Sequence, residues 1–333
     1  MERKSTVKAI IGGETLKKIY KVGVVGLGVV GQRLISAFHK NENIQIAAVC
    51  DYNKNLAKET ALEYGNIAYF SDYNELMQQN EIDFVYVAVP PAVHYDVVMS
   101  AFQHKKHVLC EKPLANSEEE AEAMVRLAEE SGLIHAMHFP LVYEKAFATI
   151  EDLISKNSFG KIKRITLKMH FDQWPRPWQQ TNWINSRKQG GFIREISPHY
   201  LQMILHFFGP VKEVKSYVDY PFDSQLSEQA VIAMLTLENE ARVLIDGLVG
   251  QAENEEISFT IHGENQSLSL INWRKVKLAN KGKEWVEIMD SELVNSKGSL
   301  VEHFVKRLNN EQAVLVDFEE GLQVQRVLEQ LIR

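Results

Sequence analysis

Short apolar runs alternate with amphipathic stretches over the first 138 residues. Lys21 to Val25 is a β-branched run with the pattern of a buried parallel strand, and Val29 to His39 has helical spacing. Ile44 to Cys50 is a second apolar run. Ser71-Asp72 can cap a short helix to Gln79, and Ile82 to Val89 is a nearly pure apolar strand that stops at Pro90-Pro91. His94 to His104 reads as a helix and Lys106 to Cys110 as the next strand. Ser117 to Glu120 fits a capping box, with Ser117 at N-cap and Glu120 at N3, opening a helix that Gly132 ends. Leu133 to His138 supplies a further strand. This alternation predicts an α/β fold, a doubly wound parallel sheet.

The pattern changes after that point. A helix is expected at about Glu144 to Asn157 and a long strand over Lys161 to Phe171. A loop rich in tryptophan and proline follows, then a helix from Pro198 to Phe208 closed by Gly209-Pro210. From Val211 to Ile288 strand-like runs are separated by turn signals such as Gly263-Glu264-Asn265 and Asn280-Lys281-Gly282, which predicts an antiparallel sheet in an α+β domain. Helices at about Leu300 to Asn309 and Asp317 to Ile332 complete the chain. The first twenty residues carry Gly12-Gly13 and several lysines without clear periodicity, which fits an ordered arm or a disordered extension.

At 333 residues the chain is long enough for two domains. An apolar share of 45% with 24% charged residues is that of a soluble globular protein. The net charge of −7 without basic clusters argues against nucleic acid or an anionic membrane as a partner. No apolar run spans a bilayer and no signal peptide is seen, so a cytoplasmic location is expected. Cys50 and Cys110 each close an expected buried strand and read as small core residues rather than a disulfide or metal pair. His135, His138 and His170 match no compact metal spacing, and no metal is expected.

The chemistry begins at Gly26-Leu27-Gly28-Val29-Val30-Gly31, a G-x-G-x-x-G turn between strand and helix. The first glycine permits a tight turn, the second lets backbone approach a diphosphate, and the third lets helix pack on strand. The diphosphate would sit over Val29, Val30 and Gly31 at the positive helix end. Asp51, twenty residues past Gly31, stands where a carboxylate accepts from the adenosine ribose hydroxyls. Tyr52 and Asn53 follow it, with no arginine to clamp a 2′-phosphate, so NAD is expected over NADP; Lys54 is the one nearby cation.

Three stretches carry a resemblance: Val22 to Gly31, Pro90-Pro91-Ala92-Val93-His94, and Lys106-His107-Val108-Leu109-Cys110-Glu111-Lys112-Pro113. Over about residues 20 to 333 the chain resembles the glucose–fructose oxidoreductase, inositol dehydrogenase and MocA family of nicotinamide-dependent dehydrogenases. The resemblance implies an N-terminal Rossmann domain over 21–140 and a C-terminal substrate-binding and oligomerisation domain over 141–333, with an open antiparallel sheet and a last helix packed back on the first domain. It implies a homodimer or homotetramer through that sheet. It makes Lys112 the catalytic or substrate-orienting cation, followed by a proline that is often cis, and adds Pro90, Pro91, His94 and Glu111 to the cofactor residues.

The family's second motif, an aspartate with a histidine four residues on, falls on Glu195 and His199 after Gly190-Gly191; glutamate keeps the carboxylate but adds a methylene. Gln202 lies where many relatives carry another aspartate, which leaves the substrate open. Ser197-Pro198 looks like N-cap and N1 of a helix, which would set His199 in its first turn and lower its pKa. Oxidation of an alcohol needs a base, a cation for the developing alkoxide and a hydride acceptor. His199, Lys112 and a nicotinamide fit those roles, with Glu195 to orient them. Trp174, Arg176, Trp178 and Trp183, with Arg194, either hold a sugar or cyclitol ring or pack structurally. The expected activity is an NAD-dependent dehydrogenase or reductase on a small polyhydroxy substrate; the alternative is a silent NAD-binding sensor or scaffold of the same fold.

Overall fold

The computed structural model describes residues 10–11, 14–15, 18–179 and 181–333. The N-terminal extension expected over 1–20 lies outside the described residues, apart from Lys18 to Tyr20 and a short antiparallel pair of β1 (Ile10–Ile11) with β2 (Glu14–Thr15). Two compact units meet in the chain at Ala88 and Val89.

The first unit is a parallel sheet in the order β5-β4-β3-β6, built from β3 (Tyr20–Val25), β4 (Ile44–Cys50), β5 (Ala68–Phe70) and β6 (Phe84–Val87). Helices α1 (Val29–His39), α2 (Lys54–Glu63) and α3 (Tyr73–Met77) alternate with these strands. β3, β4 and β6 are buried along most of their length, which explains their near-continuous apolar runs, whereas the edge strand β5 is largely exposed. Phe38 on α1 meets Phe84 and Tyr86 of β6 edge-on, at ring distances of 5.7 and 5.6 Å.

The second unit continues the βα alternation with α4 (Pro91–Gln103), β7 (His107–Cys110), α5 (Glu118–Ser131) and β8 (His135–Met137), where β7 and β8 are parallel. Helix α4 begins at Pro91, three residues before the expected start, because a proline is well suited to N1. Ser117 caps α5 as expected, but Glu120 reaches the Asn116 N–H instead of closing the box on Ser117. Gly132 ends α5 in the left-handed conformation.

Helix α6 (Lys145–Ser155) leads into β9 (Ile162–Phe171), the centre of an eight-stranded sheet. Its other strands are β10 (Val211–Asp219), β11 (Ala230–Leu237), β12 (Arg242–Val249), β13 (Glu256–Gly263), β14 (Gln266–Ile271), β15 (Lys275–Asn280) and β16 (Val286–Ile288). The order is β10-β11-β12-β9-β13-β14-β15-β16. The sheet is mixed rather than wholly antiparallel: β9 enters between β12 and β13 and runs parallel to β12, because it arrives from α6 rather than from a hairpin. Helix α7 (Phe192–Phe208) is followed later by α8 (Leu300–Leu308) and α9 (Phe318–Ile332). Helix α9 packs on α5, α7 and β10, with Arg326 bridging Glu118 and Glu122 at 2.9 and 2.8 Å. Cys50 and Cys110 are both free and buried at the ends of β4 and β7. Among the described residues no helix is long and apolar enough to cross a membrane.

Candidate active site

In the first unit the glycine turn has the geometry its spacing implies. Gly26 holds a positive φ of 96°. A Cβ on Gly31 would collide with the Gly26 carbonyl, whereas a Cβ on Gly28 would meet nothing within 4 Å, leaving open space where a diphosphate approaches. The first N–H groups of α1 have no partner within the helix, and Val29 and Val30 beside them are 50% and 39% exposed. Asp51 is buried. Its Oδ2 accepts from the Leu27 N–H and its Oδ1 from the Asn53 N–H, each at 2.9 Å, so it pins the turn to the tip of β4. Each oxygen keeps a further lone pair.

In the second unit two strand tips and one helix face come together. Glu111 and Lys112 follow β7, and His138 and Phe139 follow β8. Cys110 pairs with Met137 in register, so the next residues, Glu111 and His138, are neighbours, and the His138 Nδ1 is hydrogen-bonded to Glu111 Oε1. Lys112 Nζ donates to the Glu195 carbonyl at 2.9 Å and to Glu195 Oε2 at 3.3 Å. Phe139 meets the His199 ring edge-on at 6.1 Å, and Trp273 does so at 5.1 Å. Lys112 and Pro113 are joined by a cis peptide bond.

Helix α7 carries Glu195 and His199 one turn apart on the same face. It begins at Phe192, not at Pro198, so His199 is two turns inside it and the expected influence of a helix terminus on that histidine does not apply. The start is set by Gly191 at φ +98° and by the buried Glu228, whose Oε1 accepts from the Ile193 N–H at 2.7 Å. A side chain on Gly191 would strike that carboxylate, and one on Gly190 would strike the Trp183 and Ile184 carbonyls. Pro198 sits in the helix interior, where it gives the Arg194 carbonyl no N–H and bends the ladder. The next carbonyl along, that of Glu195, is the one that takes the lysine.

The His199 pKa is held well below its ordinary value, first by burial and then by the positive charges of Lys112 and His138. Its Nδ1 has no hydrogen-bond partner. His94 is fully buried, and its ring nitrogens lie 2.9 Å from the Pro113 and Val89 carbonyls; it ties the lysine-bearing loop to the start of α4 rather than presenting a ring to a ligand. Pro90 and Pro91 are the N-cap and N1 residues of α4.

The tryptophan-rich loop divides between its two readings. Trp174 packs on Phe171 and Phe192, and Arg176 is clamped by Glu255 at 2.7 and 2.8 Å. Arg194 donates to the Arg187 and Gly190 carbonyls and braces the glycine pair. Trp183 is half-buried, while Trp178 is 50% exposed with the Arg176 guanidinium over its ring at 6.0 Å. The Glu111–His138 pair and Trp273 were missed in the sequence. The strand-tip register would have found the first; only the fold brings Trp273 to His199.

The buried histidines set a pH dependence of stability. His94 and His199 have lowered pKa values in the fold, largely through burial, while in the unfolded chain they titrate near 6.5. As the pH falls below that value the unfolded state takes up protons that the folded state refuses, so stability falls by up to about 1.4 kcal/mol per pH unit for each such histidine. Glu228, raised by burial, partly opposes this at the acid end. Thermal melts from about pH 7.5 to about pH 5.5 should show a falling Tm, with a shallower slope for His199→Asn. A Tm that holds or rises across that range contradicts the neutral assignment.

Comparison with known proteins places these features. Residues 20–139 match a family model described as oxidoreductase family, NAD-binding Rossmann fold, and residues 151–333 match its companion, the C-terminal alpha/beta domain. The chain is 28% identical over 206 residues to scyllo-inositol 2-dehydrogenase (NADP(+)) of Bacillus subtilis, covering 60% of this chain and 54% of that protein. It is 28% identical over 194 residues to glucose-6-phosphate 3-dehydrogenase of the same organism, covering 56% and 53%. The matched region spans about half the length of each of these two relatives. Levoglucosan dehydrogenase, solved with NADH and L-sorbose, shares the fold at a TM-score of 0.80 and 19% identity, over 95% of this chain and 96% of that one.

Proposed function

The chain belongs to the glucose–fructose oxidoreductase, inositol dehydrogenase and MocA family of oxidoreductases, and on that premise we propose that it transfers a hydride between NAD and a secondary alcohol or ketone of a sugar, cyclitol or related polyhydroxy compound. The observation that carries this reading is Lys112, fixed on Glu195 at 2.9 and 3.3 Å, with a neutral buried histidine one helical turn along the same face. The names of the relatives, which act on inositol and glucose 6-phosphate, support the substrate class.

The glycine turn and Asp51 fit a dinucleotide, which when bound supplies the hydride acceptor or donor at its nicotinamide C4. His199 takes the hydroxyl proton during oxidation. In reduction the same proton returns to the carbonyl oxygen. Lys112 stabilises the oxygen as charge develops on it. Glu195 holds the ammonium in place, and burial, helped by the Lys112 charge, keeps His199 unprotonated and ready as a base. A screen of sugars, cyclitols and sugar acids with either cofactor, followed at the nicotinamide absorbance, tests the reading. Tight NADH binding with no turnover on any of them would favour a cofactor-binding sensor instead.

NAD is the proposed cofactor. A 2′-phosphate beside Asp51 would meet a buried carboxylate whose remaining lone pairs accept but cannot donate. Repulsion should favour NADH over NADPH by at least about tenfold, or about 1.4 kcal/mol. Titration with both reduced cofactors checks this, and tighter NADPH binding would overturn it. Asp51→Ala should narrow the preference and weaken both, because the Leu27 N–H loses its anchor.

A further inference from the structure

The Nδ1 of His199 is buried and has no hydrogen-bond partner among the described residues. Glu195, the one carboxylate of α7, is taken by Lys112 at 3.3 Å. A histidine that moves protons is ordinarily aimed by a carboxylate or backbone carbonyl on its far nitrogen, which fixes ring orientation and tautomer together. Here the contacts of the ring are aromatic. Phe139 stands edge-on to the imidazole at 6.1 Å and Trp273 at 5.1 Å, with interplanar angles of 84° and 87°. Phe139 is buried just past the end of β8, whereas Trp273 is half-buried and comes from the turn between β14 and β15.

That turn holds a conformation that a tryptophan does not favour. Asn272 and Trp273 have positive φ, of 46° and 73°. An asparagine adopts such a φ readily, but a bulky side chain is an outlier there and persists only where its surroundings over-determine it. Two anchors on β13 do so. Asn272 donates its N–H to the Ile257 carbonyl at 2.7 Å and accepts the Ile257 N–H on its side-chain oxygen at 2.8 Å. The indole lies against Tyr200 at 5.4 Å, and the buried Tyr200 stacks on Phe259 at 5.8 Å. Ile257 and Phe259 are two residues apart on one strand, so the backbone and the ring of the turn are set by the same short piece of sheet. Backbone strain of this kind collects at functional sites.

We infer that Trp273 is the positioning residue of the candidate base: its indole, with Phe139, aims the His199 ring and keeps water from it, where other histidines rely on a hydrogen-bonding partner. The inference rests on the proposed role of His199, but its first test needs no turnover. In NMR of the full chain carrying isotope-labelled histidine, the His199 signal, identified by its loss in His199→Asn, should be displaced by the ring current of the indole. Trp273→Phe keeps a ring and should keep most of the displacement. Trp273→Asn suits the positive φ but has no ring, so it should lose the displacement and let His199 titrate at higher pH, since burial is the main cause that holds it neutral. Lys112, His138, Glu195 and Arg274, the charged groups near the ring, are the same in both variants. The native protein should also show a nuclear Overhauser contact between the His199 ring and the indole, which keeps the test decisive if Trp273→Asn does not fold. On a substrate that is turned over, Trp273→Asn should lower kcat by about 10²-fold with NADH affinity unchanged, the scale of a misplaced reacting group, and Trp273→Phe should recover most of it. A His199 signal unmoved by Trp273→Asn, a missing Overhauser contact, or an unchanged kcat and pH profile in Trp273→Asn overturns the inference and leaves the proposed reaction standing. A signal that responds as expected in a protein without turnover on any substrate supports the aiming role and removes the reaction.

Discussion

Lys112→Ala should lower turnover by about 10²- to 10⁴-fold while NADH affinity changes little, since positioned acid–base and electrostatic groups each contribute on that scale. The expectation comes from what the lysine does in place: with 11% of its side chain exposed, it donates to both the carbonyl and the carboxylate of Glu195. Removing it takes away the cation and leaves a carboxylate with 15% side-chain exposure uncompensated. Melting of the variant separates lost folding from lost turnover. The Glu195 pair of variants sharpens the assignment. Glu195→Asp keeps the charge and should retain part of the activity, whereas Glu195→Gln frees the ammonium and should lose most of it. Full activity in Glu195→Gln on the true substrate would detach the carboxylate from the chemistry.

His199→Asn should cost a similar factor in turnover and also change the shape of the pH profile. In the native protein burial, Lys112 and His138 hold the histidine neutral, so kcat/KM should show no histidine limb near pH 6.5 and should fall only at more acid pH. Lys112→Ala removes one of the two neighbours that lower the His199 pKa beyond burial, so the acid limb of its residual activity should move upward in pH. His138→Asn should move it in the same direction through loss of the second. An unchanged profile in both variants would mean that His199 does not set the acid limb.

The Rossmann half was legible because a buried parallel strand has little choice of composition. Val22 to Val25 and Phe84 to Val87 are apolar on both faces, as is Ile44 to Cys50 apart from the exposed Gln45, and all three could be placed to within a few residues. The start of α7 was not legible, and the reason is specific. Ser197-Pro198 is a strong local start signal, but Gly191 and the distant Glu228 supply a better N-terminus six residues earlier, and the helix absorbs the proline. A contact across 35 residues of chain carries no local periodicity. The same limit hid Trp273, which reads as an ordinary turn residue until β14 and β15 are folded beside α7. Lys112 and Glu195 were found by motif, yet their mutual contact depends on two elements distant in sequence, the tip of β7 and α7.

The two cysteines have a practical consequence. Cys50 adjoins Asp51 at the tip of β4, and Cys110 adjoins Glu111 at the tip of β7, so each thiol borders a candidate binding residue. Burial and the neighbouring carboxylate push Cys50 up to about 12 and Cys110 well above its ordinary value. At neutral pH Cys50 therefore holds far less thiolate than the few per cent of a free cysteine. Alkylating reagents and peroxide attack a cysteine as its thiolate, so both cysteines of the folded protein should react slowly with either despite lying at the edge of its machinery. A single cysteine introduced at an exposed position such as Tyr52 or Phe222 would therefore take a fluorophore or spin label in the otherwise native sequence.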